Sequence, residues 1–196
     1  MKLVKSLGLL LLSGAISFTT HAQKIKITEG SLDALKDVKE YNIEFSYENM
    51  AVGKFKTEAE YVEKKKEEYN KKEAGKGDKW AEAWVNDRAS RFEPKFIEKF
   101  EEYSNAKEKG NAKYTLIFNT TFTEPGFFTG IAIANKNASI NGEVTIVETA
   151  NKSKVVAKMT IEKVPGRTGT GYDFDTGDRI SEAYEKAGKE IGKKLK

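Results

Sequence analysis

Cysteine is absent from the 196 residues, and histidine occurs once, at His21. Without a thiol there is no disulfide framework, no thiol redox chemistry and no thiolate nucleophile. His21 falls in an N-terminal segment that reads as a removable signal, so the Ser-His-Asp and Cys-His machineries are excluded from the mature chain. Conventional zinc sites, which draw on Cys and His, go with them. Any chemistry must use carboxylates, Lys, Arg, Tyr, Ser, Thr or a hard cation. The lack of disulfides also leaves the packed core to carry the stability alone. A strong charge of one sign is missing too: 34 Lys and Arg face 30 Asp and Glu, and two of the basic residues, Lys2 and Lys5, lie in the signal. Such a balance is not a nucleic-acid footprint. Beyond residue 22 no apolar run is long enough to span a bilayer.

What is present begins with that signal. Lys2 and Lys5 make a basic start, Leu7 to Phe18 an apolar run, and Thr20-His21-Ala22 places small residues where a signal peptidase reads them. The division expected is a signal peptide over 1–22 and one domain over 23–196, located in the periplasm or secreted.

Along the mature chain, KIKIT (24–28) alternates as a short strand, and YNIEFSY (41–47) as a half-buried one with Tyr41, Ile43, Phe45 and Tyr47 on one face. Ser31 caps a short helix between them. Thr57 followed by Glu60 is a capping box that opens a helix to about Lys72. Glu60–Lys64, Glu67–Lys71 and Glu68–Lys72 offer i,i+4 ion pairs along its solvated face, and Tyr61, Val62, Lys65 and Tyr69 mark the opposite side. Asp78 is placed to cap a second helix bearing Trp80, Trp84, Val85 and Arg88 on one stripe. Pro94 opens a third, striped by Phe96, Ile97, Phe100 and Tyr103. Residues 105–111 read as a loop.

The period then switches to that of strands: 113–123, 127–134, 138–148 with a bulge at Asn141-Gly142, and 154–164. Glu124-Pro125-Gly126 is a turn. A helix from about Arg179 to Lys193 closes the chain, with Gly188 and Gly192 as a small stripe for close packing, most simply on the sheet. The fold expected is α+β: a largely antiparallel sheet with helices packed on one face and a helical insertion at about 57–104.

Two sets of residues invite a chemical reading. The first is YDFDTGDRI (172–180). Its Asp-Thr-Gly matches an aspartic-protease loop for four residues only, with Asp178 where a small Ser or Thr is usual and no second copy in the chain. As an EF-hand counted from Asp173 it fails at positions 5, 6 and 12. An irregular calcium site using Asp173, Asp175 and Asp178 is one alternative. The other reading makes Asp178 the cap of the closing helix, with Asp175 near the positive end of its dipole and Lys189, Lys193 and Lys194 at the negative end. The second set is Trp80, Trp84, Phe92 and Phe96. Aromatics at helical spacing form a core more often than a platform, but these four are the candidates for a ligand or glycan site.

The C-terminal pattern Gly169-Thr170-Gly171, Asp175-Thr176-Gly177-Asp178-Arg179-Ile180, Ala183-Tyr184 and Ala187-Gly188-Lys189 resembles the ending of small exported envelope proteins and lipoproteins of Gram-negative bacteria. Their domain is similar to that of CsgG and the N-terminal domain of TolB. The resemblance covers about the last 85 residues. It implies a sheet covered by helices and a role in assembly or interaction at the envelope rather than catalysis. The chain departs from the pattern in lacking a lipoprotein Cys and in carrying the Trp-rich helices.

The function expected is therefore that of a non-enzymatic exported protein that binds, or helps assemble, another cell-envelope component, without a cofactor, a nucleic-acid partner or a transmembrane helix. The alternative is a small-ligand or glycan binder with an aromatic-lined pocket between helices and sheet. A third class, a glycosidase-like hydrolase pairing two carboxylates, has no pair singled out among the acidic residues.

Overall fold

The structure, a computed structural model, describes residues 24–127, 135–167 and 175–196. The signal, the strand expected over most of 127–134, and Asp173 lie outside them. Among the described residues seven strands form one sheet: β1 (Lys24–Gly30), β2 (Glu40–Ser46), β3 (Ala51–Val52), β4 (Lys107–Glu108), β5 (Tyr114–Glu124), β6 (Ser139–Glu148) and β7 (Asn151–Pro165). The helices are α1 (Glu58–Asn70), α2 (Lys76–Asp87), α3 (Glu93–Ser104) and α4 (Thr176–Leu195). This is the mixed, mostly antiparallel architecture expected.

The order across the sheet is β1-β7-β6-β5-β2-β4, with β3 beside the far end of β5. β5, β6 and β7 form an antiparallel meander, and β1 pairs antiparallel with β7 at one edge. β2 runs parallel to β5, because the helical insertion between them acts as the crossover that a parallel pair needs. Inside the 105–111 loop, Lys107 and Glu108 add a short parallel edge strand to β2, a pairing that two residues cannot announce in sequence. The bulge at Asn141-Gly142 is present: the β6/β7 register shifts between Ile140 and Gly142, and the Asn141 side chain accepts the Lys163 N–H at 2.8 Å.

Alternation along the strands sets the two faces. Leu116, Phe118, Ile140, Val144, Ile146, Ala157, Met159 and Ile161 are buried toward the helices, whereas Glu143, Thr145, Lys158 and Thr160 point to the wetter face. The core is strongly aromatic. Phe92 stacks on Tyr184 at 4.9 Å and 5°, Phe96 meets Phe118 at 4.9 Å, and Tyr41 meets Phe100 edge-on at 5.6 Å.

α1 has the capping box: Thr57 Oγ1 accepts the Glu60 N–H at 3.2 Å, and the Glu60 carboxylate accepts the Thr57 and Lys56 N–H groups. With Glu60 turned back on the helix start, the expected pair with Lys64 does not form; Lys65–Glu68 (3.2 Å) and Lys66–Asp78 (2.9 Å) form instead. Asp78 is thus drawn into an ion pair, and Gly75, at φ 80°, starts α2 in its place. α2 and α3 are not separate helices. The backbone stays helical through a π turn at Arg88–Phe92, which absorbs Pro94 at the start of α3. Val85, expected on the apolar stripe of α2, instead faces outward at 49% exposure, one helical step round from the buried Trp84.

α4 begins three residues earlier than expected, at Thr176, and its cap is Asp175 rather than Asp178. Asp175 has extended backbone, and its Oδ1 accepts the Asp178 N–H at 3.1 Å. The glycine stripe of α4 faces α3, not the sheet. A Cβ on Gly188 would collide with the Phe96 carbonyl, and one on Gly192 would lie 2.8 Å from the Phe100 carbonyl. No helix among the described residues is long and apolar enough to cross a membrane.

Candidate functional site

α1 presents Tyr61, Lys65 and Tyr69 at successive i,i+4 positions, hence on one face. Opposite this face stand the start of α4 and the turn that ends β5. Between them opens a cleft of about 490 Å³, within the usual size range of small-ligand sites. Trp80 of α2 adds a ring to the same wall, and Phe55, from the connection between β3 and α1, closes one end.

The rings form a connected series. Phe55 meets Tyr61 at 5.7 Å, Tyr61 meets Trp80 at 5.8 Å, and Tyr69 meets Trp80 at 5.7 Å with the planes tilted by 39°. Trp84 stacks behind Trp80 at 5.7 Å and donates its indole N–H to Glu58 Oε1 at 2.5 Å. Tyr61 is buried, while Trp80, Tyr69 and Phe55 are half-buried with ring surface on the cleft.

The opposite side is polar. Glu124, 9% exposed, accepts the Lys136 ammonium at 2.5 Å and the Gly126 N–H at 3.1 Å. Gly126 has φ 66°, the left-handed conformation this turn requires. Arg179 is 4% exposed, and its guanidinium donates to the Pro125 carbonyl at 3.4 Å and to Thr176 Oγ1 at 3.1 Å. Burial pushes the Tyr61 phenol well above its ordinary range, and that phenol also feels the opposing charges of Glu124 and Arg179. The aromatic wall and the charged side therefore share one electrostatic environment.

Of the four aromatics singled out in sequence, Trp80 lines the cleft and Trp84 supports it from behind. Phe92 and Phe96 line no part of it; both are in the core, against Tyr184 and against Phe45 and Phe118. The residues that sequence reading missed are Phe55, Tyr69, Glu124, Lys136 and Arg179. Only the Tyr61–Lys65–Tyr69 face carried a local signal.

Next to the cleft core, Glu58, Arg88 and Tyr47 form a second polar group. Arg88 pairs with Glu58 and lies 4.0 Å over the Tyr47 ring, and the Tyr47 hydroxyl donates to Glu93 at 3.2 Å. The space there is about 10 Å³, room for a water molecule and no more.

The two described acidic residues of YDFDTGDRI, Asp175 and Asp178, are engaged with cations. Asp175 accepts Arg91 at 2.5 Å, and Asp178 pairs with Arg167. Asp173 lies outside the described residues. Among the described residues no three Asp, Glu, His or Cys side chains cluster as metal ligands.

No family model matches the chain, and the search of curated proteins found no match. Among solved structures it is similar to the PelC dodecamer of Paraburkholderia phytofirmans. Two crystal forms of that protein give 14% and 12% identity and TM-scores of 0.37 and 0.36, each over 84% of this chain and 97% of that one. It is also similar to a Xanthomonas campestris protein of family DUF330, at 13% identity over 80% of this chain and 81% of that one, with a TM-score of 0.35. At these values the likeness carries no argument about ligand or assembly.

Proposed function

We propose that this chain is an exported, non-enzymatic binding protein that holds a small ligand or a segment of a cell-envelope glycan in the cleft between α1, α2 and the start of α4. The observation that carries the reading is the wall of Tyr61, Tyr69 and Trp80 facing fixed polar groups across about 490 Å³. Rigid aromatic faces supply contact area at low entropic cost, and a few convergent polar groups set orientation. The described lining does not suit a glycosidase that pairs two carboxylates. Among the described lining residues Glu124 is the single carboxylate and it is paired with Lys136, whereas glycoside hydrolysis uses two carboxylates in distinct roles.

Calorimetric titration with envelope glycan fragments, comparing the wild type with Trp80→Ala, tests the reading; equal binding by both proteins counts against it. Export rests on the Lys2–Ala22 pattern, and N-terminal sequencing of envelope or secreted material is expected to start near Gln23.

A second reading, docking onto another envelope protein, is favoured by one feature. Among the described residues β1 is an edge strand of seven residues with Ile27 39% exposed, a geometry open to strand addition. Crosslinking in cells through positions on β1, followed by mass spectrometry, tests it.

A further inference from the structure

We infer that the cleft takes an uncharged sugar ring in preference to its acidic and amino counterparts, and that Glu124 is the residue that reads the sugar hydroxyls; this rests on the proposal that the cleft binds a ligand. Charge in the described lining is answered inside the protein. Glu124 meets the Lys136 ammonium through one oxygen and the Gly126 N–H through the other. Lys65 is shared with Glu68 at 3.2 Å. Arg179 is held by the Pro125 carbonyl and the Thr176 hydroxyl and is not a free cation. Lys54 makes no ion pair among the described residues, but it is exposed, 5.7 Å over the Phe55 ring, where water and salt screen it.

A charged ligand group therefore meets no waiting partner. A carboxylate would have to draw Lys136 away from Glu124 or Lys65 away from Glu68. Glu124 is 9% exposed, and a carboxylate so buried is costly to leave without its cation. An ammonium would have to share Glu124 with Lys136, which sets two like charges on one carboxylate. A charged group that displaces neither pair loses water and gains no counter-charge.

A hydroxyl displaces nothing. Each carboxylate oxygen has more than one acceptor site, so Glu124 can accept ligand O–H groups while it keeps Lys136 and the Gly126 N–H. Those two contacts also fix the carboxylate before a ligand arrives, which lowers the ordering cost of binding. On the other side Trp80 and Tyr69 turn ring surface to the cleft, matched to the C–H face of a sugar. A neutral sugar carries both kinds of surface on one ring. The pairing also sets the direction of any switch in preference. Glu124→Gln releases Lys136 and favours the acidic sugar. Lys136→Gln leaves the Glu124 carboxylate without its cation and favours the amino sugar. The Lys136 side chain is 55% exposed, so this second variant is expected to fold.

The test titrates the full mature chain by calorimetry with neutral disaccharides of the gluco, galacto and manno series, each beside its uronate and its 2-amino form. The expected result is that at least one neutral form binds about tenfold more tightly than both of its charged counterparts, the size of effect that an unpaired buried charge produces. Glu124→Gln is expected to weaken the neutral form and to move the preference toward the uronate, and Lys136→Gln to move it toward the amino sugar. A uronate or amino form that binds the wild type as tightly as the neutral form overturns the charge selection and leaves the binding reading standing. Preferences that stay unchanged in both variants overturn the role of Glu124. If Glu124→Gln shows no cooperative melting transition, Lys136→Gln alone decides. Absence of binding by every form overturns this inference and the binding reading together.

Discussion

The guanidinium of Arg91 donates to the carboxylate of Asp175 at 2.5 Å, joining the π turn between α2 and α3 to the cap of α4. Arg91 also holds Asp87 at 3.0 Å, so one side chain ties two carboxylates from distant parts of the chain. Asp175 therefore has two tasks, capping its own helix and docking that helix to the insertion. Among the described residues the Asp178 side chain makes a surface pair with Arg167 and no cap.

This division predicts unequal effects at the two aspartates. Asp175→Ala is expected to lower stability by about 1 kcal/mol or more, since the Asp178 N–H loses its acceptor. Asp178→Ala is expected to cost less, as an exposed ion pair does. Asp175→Asn retains the cap and is expected to recover most of the loss. Chemical denaturation of the three variants measures the order, and a larger effect at Asp178 would contradict it.

The same pair predicts a pH dependence. Burial alone would raise the Asp175 carboxyl, but Arg91 and the Asp178 N–H outweigh it and hold the group below the ordinary aspartate range. A depressed folded pKa gives stability that is complete above the unfolded value of about 3.9 and is lost as pH falls through the lower folded value. The melting-temperature gap between wild type and Asp175→Asn should thus be constant near neutrality and narrow below about pH 4. A gap that widens on acidification would reverse the sign.

Gly188 predicts a packing failure. Its missing side chain lets α4 approach the Phe96 carbonyl, and any Cβ there must push the helices apart. Gly188→Ala is expected to destabilise by about 1–3 kcal/mol, despite the better helix propensity of alanine. Thermal unfolding would show this, and a rise in melting temperature would refute it.

The two tryptophans should separate stability from binding. Trp84 is buried and is a donor to Glu58, so Trp84→Ala is expected to cost about 3–5 kcal/mol. Trp80 is half-buried on the cleft wall; Trp80→Ala is expected to cost less stability and to lose ligand affinity. Denaturation and titration of both variants provide the comparison.

Calcium addresses the remaining reading of YDFDTGDRI. With Asp175 facing Arg91 and Asp178 facing Arg167, added calcium or chelator is expected to leave the melting temperature unchanged. A calcium-dependent rise abolished by Asp178→Asn would establish a site there.

The sequence by itself determined the features that hydrogen bonds between near neighbours create. The Thr57/Glu60 box, the alternation of β2, β5, β6 and β7 and the lysine-rich end of α4 are all decided within a few residues. Tertiary structure decided the rest. Asp175 rather than Asp178 caps α4 because Arg91, 84 residues away in sequence, fixes its carboxylate. The glycine stripe serves α3 because the insertion folds back between α4 and solvent, and β2 becomes parallel to β5 because the same insertion is its crossover. The cleft draws Phe55, Tyr69, Trp80, Glu124, Lys136 and Arg179 from separate segments. Their approach is set by burial of the aromatic core, a force without direction that acts at any sequence separation and leaves no periodic trace in the chain.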